Sequence, residues 1–587
     1  MGSVIGIDFG TTNSLCSFMD GDRPTIIPNS RGLRSTPSVV ALSPSGEILV
    51  GEGAKNQGLI YPQNTIAGIK RHLASGGLLS MGGRSYRPVE IAALILGALK
   101  ADAERHLGKA VGKAVITAPA HFSELERRAL LEAGRLAGLE VLKVVNEPTA
   151  AALSRAWSEL LSGGRANEAW ARQGARTAEE LGAAVASAKG LILVYDFGGG
   201  TFDVTVLRQE GRDCQVLSSR GDGRLGGGDI DRELYRRAAR DFLESEGLDI
   251  ESDLLLIQAL VDQAEKAKIE LSERSEAEMS LPFARAGEGS DARVVHALHS
   301  VGIDDFETLA RPFVERSLDL TAKALSDAGV EASAIDLLVL SGGTSRMPLV
   351  RRMIAERFGL RHSGGVNPSE IVALGAAVAA SMEEGPARLK VRDVVSRTYG
   401  VEVDGGLFVP LIKKNSPVPA SKSRIFTTVQ DGQDSVEIHV LQGESKRCEE
   451  ALSLGKFLLA GIKPAKAGKP QIRVDFGIDE SDILHVAAID LETGRAQTIS
   501  IADLGRGAAD ESPSELVGKA NLLAARIDEL KTGMDLEAGL EAELEEAARR
   551  AASAGPAMSE GELRLLKAEL EGLVGELLAR RSEATPA

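Results

Sequence analysis

Cysteine is almost missing from this chain. Cys16, Cys214 and Cys448 are the only three in 587 residues. They are too scattered for a disulfide framework or a thiolate metal cage, which favours a reducing compartment. Long apolar runs are also missing. The longest stretches, such as IAALILGAL, fall well short of the ~18 residues that a membrane-crossing helix needs. Val4 already reads as the start of a strand, leaving no room for a secretory leader, so the expected location is the cytoplasm and no membrane partner is expected. Positive charge is in deficit, 68 basic residues against 84 acidic for a formal charge of −16. Such a chain repels phosphate backbones except where it is locally basic, so no nucleic-acid partner is expected. There is no Walker A loop, nucleophile elbow or H-E-x-x-H. The pair His296 and His299 reads as a helix-spaced coincidence rather than a metal site. The length suggests roughly three or four domains with ample room for buried cores.

The richest stretch is LILVYDFGGGTFDVTVL, Leu191 to Leu207. An apolar run meets Asp196, then Gly198, Gly199 and Gly200, and an alternating run leaves the turn, which predicts a tight β-hairpin with an acid on its rim. Glycines let backbone N–H groups converge on an anion, Thr201 adds a hydroxyl donor, and Asp196 or Asp203 can hold a divalent ion through water. A lone copy is more often only a turn. Here VIGIDFGTTNSLCSF, Val4 to Phe18, repeats the strand and the Asp-Phe-Gly, with Gly10, Thr11, Thr12 and Asn13 forming the turn. The two acids, Asp8 and Asp196, stand 188 residues apart (196 minus 8). That spacing implies two similar half-domains facing across a cleft, each with a phosphate clamp and a metal-side carboxylate.

LLVLSGGTSRMP, Leu337 to Pro348, is a third strand running into a Gly-Gly turn and a helix, where backbone can approach a flat ring. This order of two phosphate loops and then an adenosine loop resembles the actin-like ATPase superfamily. Within it, IGIDFGTTNS, KAVITAPAHF, AGLEVLKVVNEPTAAAL, YDFGGGTFDVTVL, EKAKIELS, GGTSRMP and NPSEIVALGAAV resemble the seventy-kilodalton heat-shock chaperone family, the DnaK-like proteins, to about residue 503. The resemblance implies ATP and Mg2+ as cofactors. It makes Lys70 the lysine that orients the attacking water and neutralises charge on the γ-phosphate, where a lone lysine would otherwise be a solvated surface residue. Glu147, by itself a helix N-terminal acid, becomes a carboxylate positioning the nucleophile or the metal's water, with Asp196 and Thr201 completing the catalytic set. Glu265, Lys268, Ser272, Gly342, Gly343 and Arg346 would grip adenosine. Pro119, Arg127 and Lys143 would relay nucleotide state. Ser369 stands where the family usually has Asp, and the chain between Arg71 and Pro88 is shorter than usual.

Three other features set expectations. GDGRLG, Gly221 to Gly226, fits dinucleotide spacing, but a helical pattern follows where a Rossmann unit needs a second strand, so NAD binding is rejected. An Ala- and Glu-rich insert at 154–190 carries both tryptophans, Trp157 and Trp170, and reads as a helical hairpin whose tryptophans pack on each other. After Pro386 the pattern turns to short alternating strands (RIFTTVQ, DSVEIHVLQ, QIRVDFGI, ILHVAAID, AQTISI) with Gly-rich turns, a β-sandwich signature. The resemblance makes Val401, Phe426, Val436 and Ile438 a pocket for an apolar side chain of an extended peptide, with Phe408 and Val429 arching over its backbone. Capping boxes at Ser512 to Glu515 and Ser559 to Glu562 start two leucine-striped helices.

The expected architecture is therefore an α/β actin-like ATPase domain of two duplicated lobes (1–386), a linker (387–394), a β-sandwich peptide-binding domain (395–503) and a short helical lid (504–587). The expected function is an ATP-dependent chaperone that clamps apolar segments of unfolded proteins. A J-domain co-chaperone and a nucleotide exchange factor are its implied partners. The alternatives are an actin-like metabolic kinase or filament ATPase, which need no sandwich and lid, or a weakly coupled holdase or exchange-factor relative. In the linker, Leu389, Val391 and Asp393 can face one way. Lys390 and Arg392 replace apolar residues of the family pattern, so docking on the ATPase is expected to survive but weaken.

Overall fold

A computed structural model describes residues 4–75, 77–162, 189–210, 213–287, 293–362, 366–384, 390–479 and 483–500, and in the last segment 538–552 with positions 527, 531, 566, 570 and 573. The chain forms two compact units, Met1–Ser396 and Arg397–Ala587.

Both sequence repeats fold as the expected hairpins, and each sits at the centre of a sheet. In the first sheet the strand order is Glu140–Asn146, Lys113–Ala118, Val4–Asp8, Asn13–Asp20 and Arg23–Ile27. In the second it is Leu337–Ser341, Lys189–Phe197, Phe202–Glu210, Asp213–Asp222 and Lys390–Arg392. The pairing repeats as well: the acid-bearing strand runs antiparallel to its hairpin partner and parallel to the strand on its other side. Strands that are buried on both faces must be apolar throughout. Ile5 and Ile7 in one strand, and Leu193, Val194, Tyr195 and Phe197 in the other, are accordingly buried. Tyr195 packs edge to face on Phe202 with ring centroids 4.8 Å apart.

Local signals fix where the helices begin. Ser123 Oγ accepts from the Glu126 N–H at 3.4 Å while the Glu126 carboxylate accepts from the Ser123 N–H at 2.7 Å, a reciprocal cap that starts Glu124–Leu136. Pro348 opens Pro348–Phe358, where its missing N–H costs nothing. His296 and His299 lie on the strand Arg293–Gly302 and not on a helix. A separation of three puts them on opposite faces: His299 is buried against Asp241 at 2.8 Å, and His296 stacks on Phe283.

Two helices carry the sequence just after the cleft motifs. Glu147–Ser162 and Ile371–Glu384 cross so closely that a Cβ on Gly375 would sit 1.7 Å from the Ala150 carbonyl oxygen. Trp157 is buried on the first of these helices, and its indole donates to the Asp22 carbonyl at 2.8 Å. The tryptophan therefore packs into the core of the first unit, and the suggested partner Trp170 lies outside the described residues.

The second unit contains two four-stranded antiparallel sheets, ordered Leu407–Ile412, Tyr399–Val403, Ser435–Gln442, Leu452–Ala460 and Ala420–Phe426, Ile472–Ile478, Leu484–Asp490, Ala496–Ser500. Ile472, Val474, Phe476 and Ile478 alternate into the core as a half-buried strand should. Both leucine-striped helices fall largely outside the described residues. Ala538–Ala552 is helical, and Ile527, Leu566, Leu570 and Leu573 are helical and buried.

Gly375→Ala tests the helix crossing. Overpacking backbone against backbone should destabilise the first unit by about 1–3 kcal/mol, read as a lower midpoint in thermal or urea unfolding. A midpoint equal to that of the wild type would show that the helices can separate at no cost.

Candidate functional site

The phosphate turns are built by close backbone approach. A Cβ on Gly199 would sit 2.2 Å from Thr12 Oγ1, and one on Gly200 2.4 Å from Thr11 Oγ1, so the two hairpin tips touch only because these residues are glycine. The Gly227 and Gly228 amides donate to the Gly198 and Gly199 carbonyls at 3.0 and 2.8 Å, and Thr344 Oγ1 donates to the Gly198 carbonyl at 2.9 Å. Arg71 Nε reaches the Gly200 carbonyl at 3.0 Å, and its Nη2 reaches Asp229 at 2.8 Å. Nothing in the motif pattern marked Arg71 beyond its place beside Lys70. The turns open on a cleft of about 490 Å³ that is lined by Gly10, Thr11, Thr12, Asn13, Lys70, Glu147 and Thr201, among others.

Beneath the turns lies a cluster of buried acids. Lys70, in the short turn of helix Ile69–His72, is 2% exposed and donates its Nζ to Glu147 Oε1. The Lys70 ammonium also stands 5.8 Å from the Phe122 ring centroid. Burial pushes the Glu147 carboxyl up to about 7; Lys70 opposes this, and Asp8 and Asp203 add to it. Burial raises Asp8 too, against Lys70 and the Thr117 hydroxyl, which donates at 3.1 Å. Asp196 is held well above the carboxylate range by burial first, then by the charges of Glu147, Asp203 and Asp8. Like charges packed this closely want a cation among them.

At the other end of the cleft Glu265 is held by Lys55 at 2.7 Å and Lys268 by Asp231 at 2.6 Å, while Ser272 Oγ donates to the Lys268 carbonyl at 3.3 Å. Burial lifts Asp231 to about 6 against the pull of Lys268. Its Oδ1 is buried with no partner among the described residues. Gly342 takes φ +80°, and a Cβ there would lie 2.4 Å from the Phe197 backbone. Gly343, Arg346 and Ser369 line the same end, and the Ser369 amide donates to Asn367 Oδ1 at 3.1 Å.

The model of the Hsp70 protein family matches residues 4–76 and 78–585. The chain belongs to the Hsp70 family. It is 43% identical over 514 residues to Chaperone protein DnaK of Thermotoga petrophila, covering 86% of this chain and 82% of that one. The same figures hold for Chaperone protein DnaK of Thermotoga sp. strain RQ2. Hsp70 members hydrolyse ATP, and this cleft fits ATP with Mg2+: a cradle closed to any Cβ for phosphate, an acid cluster that wants a cation, and an unpartnered Asp231 oxygen at the far end.

In this Hsp70 chain residues 390–392 form the edge of the second sheet. Lys390, Val391 and Arg392 pair in parallel with Asp213, Cys214 and Gln215. Arg392 lies 4.0 Å from Asp213, and Asp393 accepts from Asn146 Nδ2 at 2.7 Å and from Thr149 Oγ1 at 3.1 Å. Arg127, 2% exposed, donates to Asn146 Oδ1, which completes a path from Asp393 to the helix after Pro119. Asn146 and Thr149 flank Glu147 in the NEPT motif and were legible only as its neighbours. Lys143 lies 3.9 Å from Glu383. Leu389 lies outside the described residues.

In the second unit the expected pocket residues fall on two different sheets. Val401 pairs with Val440, and Val436, Ile438 and Val440 alternate on that same face. Phe426 pairs with Ile472 on the core side of the other sheet. Val429 is exposed in the loop after that strand. Phe408 does not join them, because its cross-strand partner is Glu402, one residue out of phase with Val401, which puts it on the opposite face of the sheet. There it lines a separate cavity of about 330 Å³ with Thr398, Pro410 and Lys446.

The buried Glu147 gives a pH signature. Its carboxyl is raised from 4.5 to about 7, so its contribution to stability is full below the lower value and is lost as pH rises through the upper one. The nucleotide-free wild type should lose unfolding midpoint as pH rises from about 4.5 to about 7. Glu147→Gln should remove most of that loss. Parallel pH profiles for the two proteins would show that Glu147 does not titrate in this range.

Proposed function

We propose a specific division of labour within the ATP-dependent chaperone activity that Hsp70 membership gives this chain. Residues 1–386 act as an actin-like, two-lobed ATPase, 387–394 as a docking linker, 395–503 as the peptide clamp and 504–587 as a lid. The observation that carries this reading is the Lys70–Glu147 pair, buried under two touching phosphate turns. Lys70 orients the attacking water and offsets charge growing on the γ-phosphate, while Glu147 holds that water's proton side. Thr201 and the turn amides bind phosphate oxygens. Mg2+, held through water by Asp8 and Asp196, would supply charge neutralisation between phosphates. Glu265, Lys268, Ser272, Gly342, Gly343 and Arg346 receive the nucleoside.

Val401, Phe426, Val436 and Ile438 take an apolar side chain of an extended client, with Val429 at the rim. Hydrolysis closes the clamp and exchange reopens it. A J-domain partner and an exchange factor drive the two steps in the cytoplasm, with no role for nucleic acid or membrane. Among the described residues no helix is long and apolar enough to cross a bilayer. The Asp393 to Arg127 path supports coupling through the linker. Arg392 is exposed and lies 4.0 Å from Asp213, so their attraction adds little to docking.

Lys70→Ala and Asp196→Asn should each keep nucleotide affinity within about threefold and lower single-turnover hydrolysis by at least about tenfold. Unchanged turnover in Lys70→Ala would remove its assignment. Val436→Phe should overfill the pocket and weaken a Leu-rich extended peptide while leaving peptide-free ATP turnover intact; wild-type affinity in this variant would misplace the pocket. Lys390→Leu with Arg392→Leu should raise the ratio of peptide off-rates with ATP and with ADP, because two apolar side chains join the docked edge. No rise would mean that the basic residues do not weaken docking.

A further inference from the structure

The turn between Lys113–Ala118 and Glu124–Leu136 holds Pro119, and two residues on, His121. The His121 side chain crosses to the other half of the ATPase unit. Its Nδ1 lies 3.0 and 3.2 Å from the two oxygens of Asp203, the second residue of the strand leaving the Gly-rich hairpin. Asp203 is 1% exposed. An ionised carboxylate only accepts, so the nitrogen facing both oxygens carries the hydrogen.

The surroundings are shaped to this ring. A Cβ on Gly221 would sit 2.7 Å from His121 Nδ1 and 2.3 Å from Asp203 Oδ1, and one on Gly223 would sit 3.0 Å from His121 Nε2. The first two glycines of GDGRLG are therefore explained by the imidazole lying on them. The adjacent Phe122 packs edge to face on His121 at 6.0 Å and places its ring by Lys70, and its carbonyl accepts from Ser396 Oγ at 3.4 Å. One short turn thus touches Lys70, the residue after the linker and, through His121, the second phosphate hairpin.

We propose that His121 is a positioning residue for ATP hydrolysis, its Nδ1–H fixing the Asp203 carboxylate in the acid cluster and tying the Pro119 turn to the second phosphate hairpin. The inference rests on the reading of Lys70 and Glu147 given above. Losing a donor to a buried carboxylate should slow the chemical step and leave the nucleoside grip untouched, because Glu265, Lys268 and Arg346 lie at the other end of the cleft.

The test uses the full-length chain, with single-turnover ATP hydrolysis and fluorescent-nucleotide affinity measured side by side. His121→Ala should lower the hydrolysis rate by about tenfold while nucleotide affinity stays within about twofold. His121→Asn puts an N–H near the place of Nδ1 and should restore the rate to within about threefold of wild type. In Asp203→Asn, adding His121→Ala should cost nothing more, since His121 acts through that carboxylate. Failure of Asn to rescue, equal loss of affinity and rate, or an additive double variant would each overturn the proposal. Lys70→Ala separates the two readings. If it keeps wild-type turnover, the underlying site assignment has failed; if it loses turnover while His121→Ala keeps it, only the role of His121 has.

Discussion

Four carboxylates, Asp8, Glu147, Asp196 and Asp203, are crowded out of water beside Lys70, and the architecture of the first unit follows from that repulsion. Burying like charges is unfavourable, and the cost is tolerated only where the surrounding fold over-determines the geometry. Asp8 ends the central strand of its sheet, Asp196 lies next to the end of Lys189–Phe197, Glu147 begins a helix locked by the Gly375 crossing, and Asp203 is the second residue of a strand braced by His121. Each acid is thus anchored by a rigid element. The cluster concentrates negative charge, which a divalent cation placed among the carboxylates would offset.

The sequence was most legible where geometry forbids side chains. Glycine runs at touching hairpin tips leave a pattern that survives in one dimension, so both phosphate turns and the Gly342 turn could be placed from residues alone. Alternation likewise marked the sandwich strands. The strands that carry Tyr399, Phe408 and Leu454 were less visible because bulges at Tyr399/Gly400 and Val440/Leu441 break their phase. The assignment of Phe408 failed for the same reason: one residue of register decides which face a side chain takes, and family analogy carries no register.

Long-range polar partners were not legible at all. Asn146 reaching Asp393 and His121 reaching Asp203 span 247 and 82 residues, and nothing local in the chain announces either bond. Lys143 likewise lies 3.9 Å from Glu383, a proximity that nothing local in the sequence announces. Hydrogen bonds between distant segments depend on how sheets and helices stack. Motif spacing fixes only the elements themselves.

Residues 390–392 occupy a sheet edge, and removing them from it would have a cost. While Lys390–Arg392 is paired, the backbone of residues 213–215 is satisfied along its outer side. Once the strand lifts, the same N–H and C=O groups become a bare template with an apolar Cys214 and Val216 behind it, open to any extended segment nearby. A form with that edge bare would carry a self-association hazard of its own, strongest when the protein is concentrated. A chaperone that works among unfolded chains would then compete with its own cargo for an exposed strand edge.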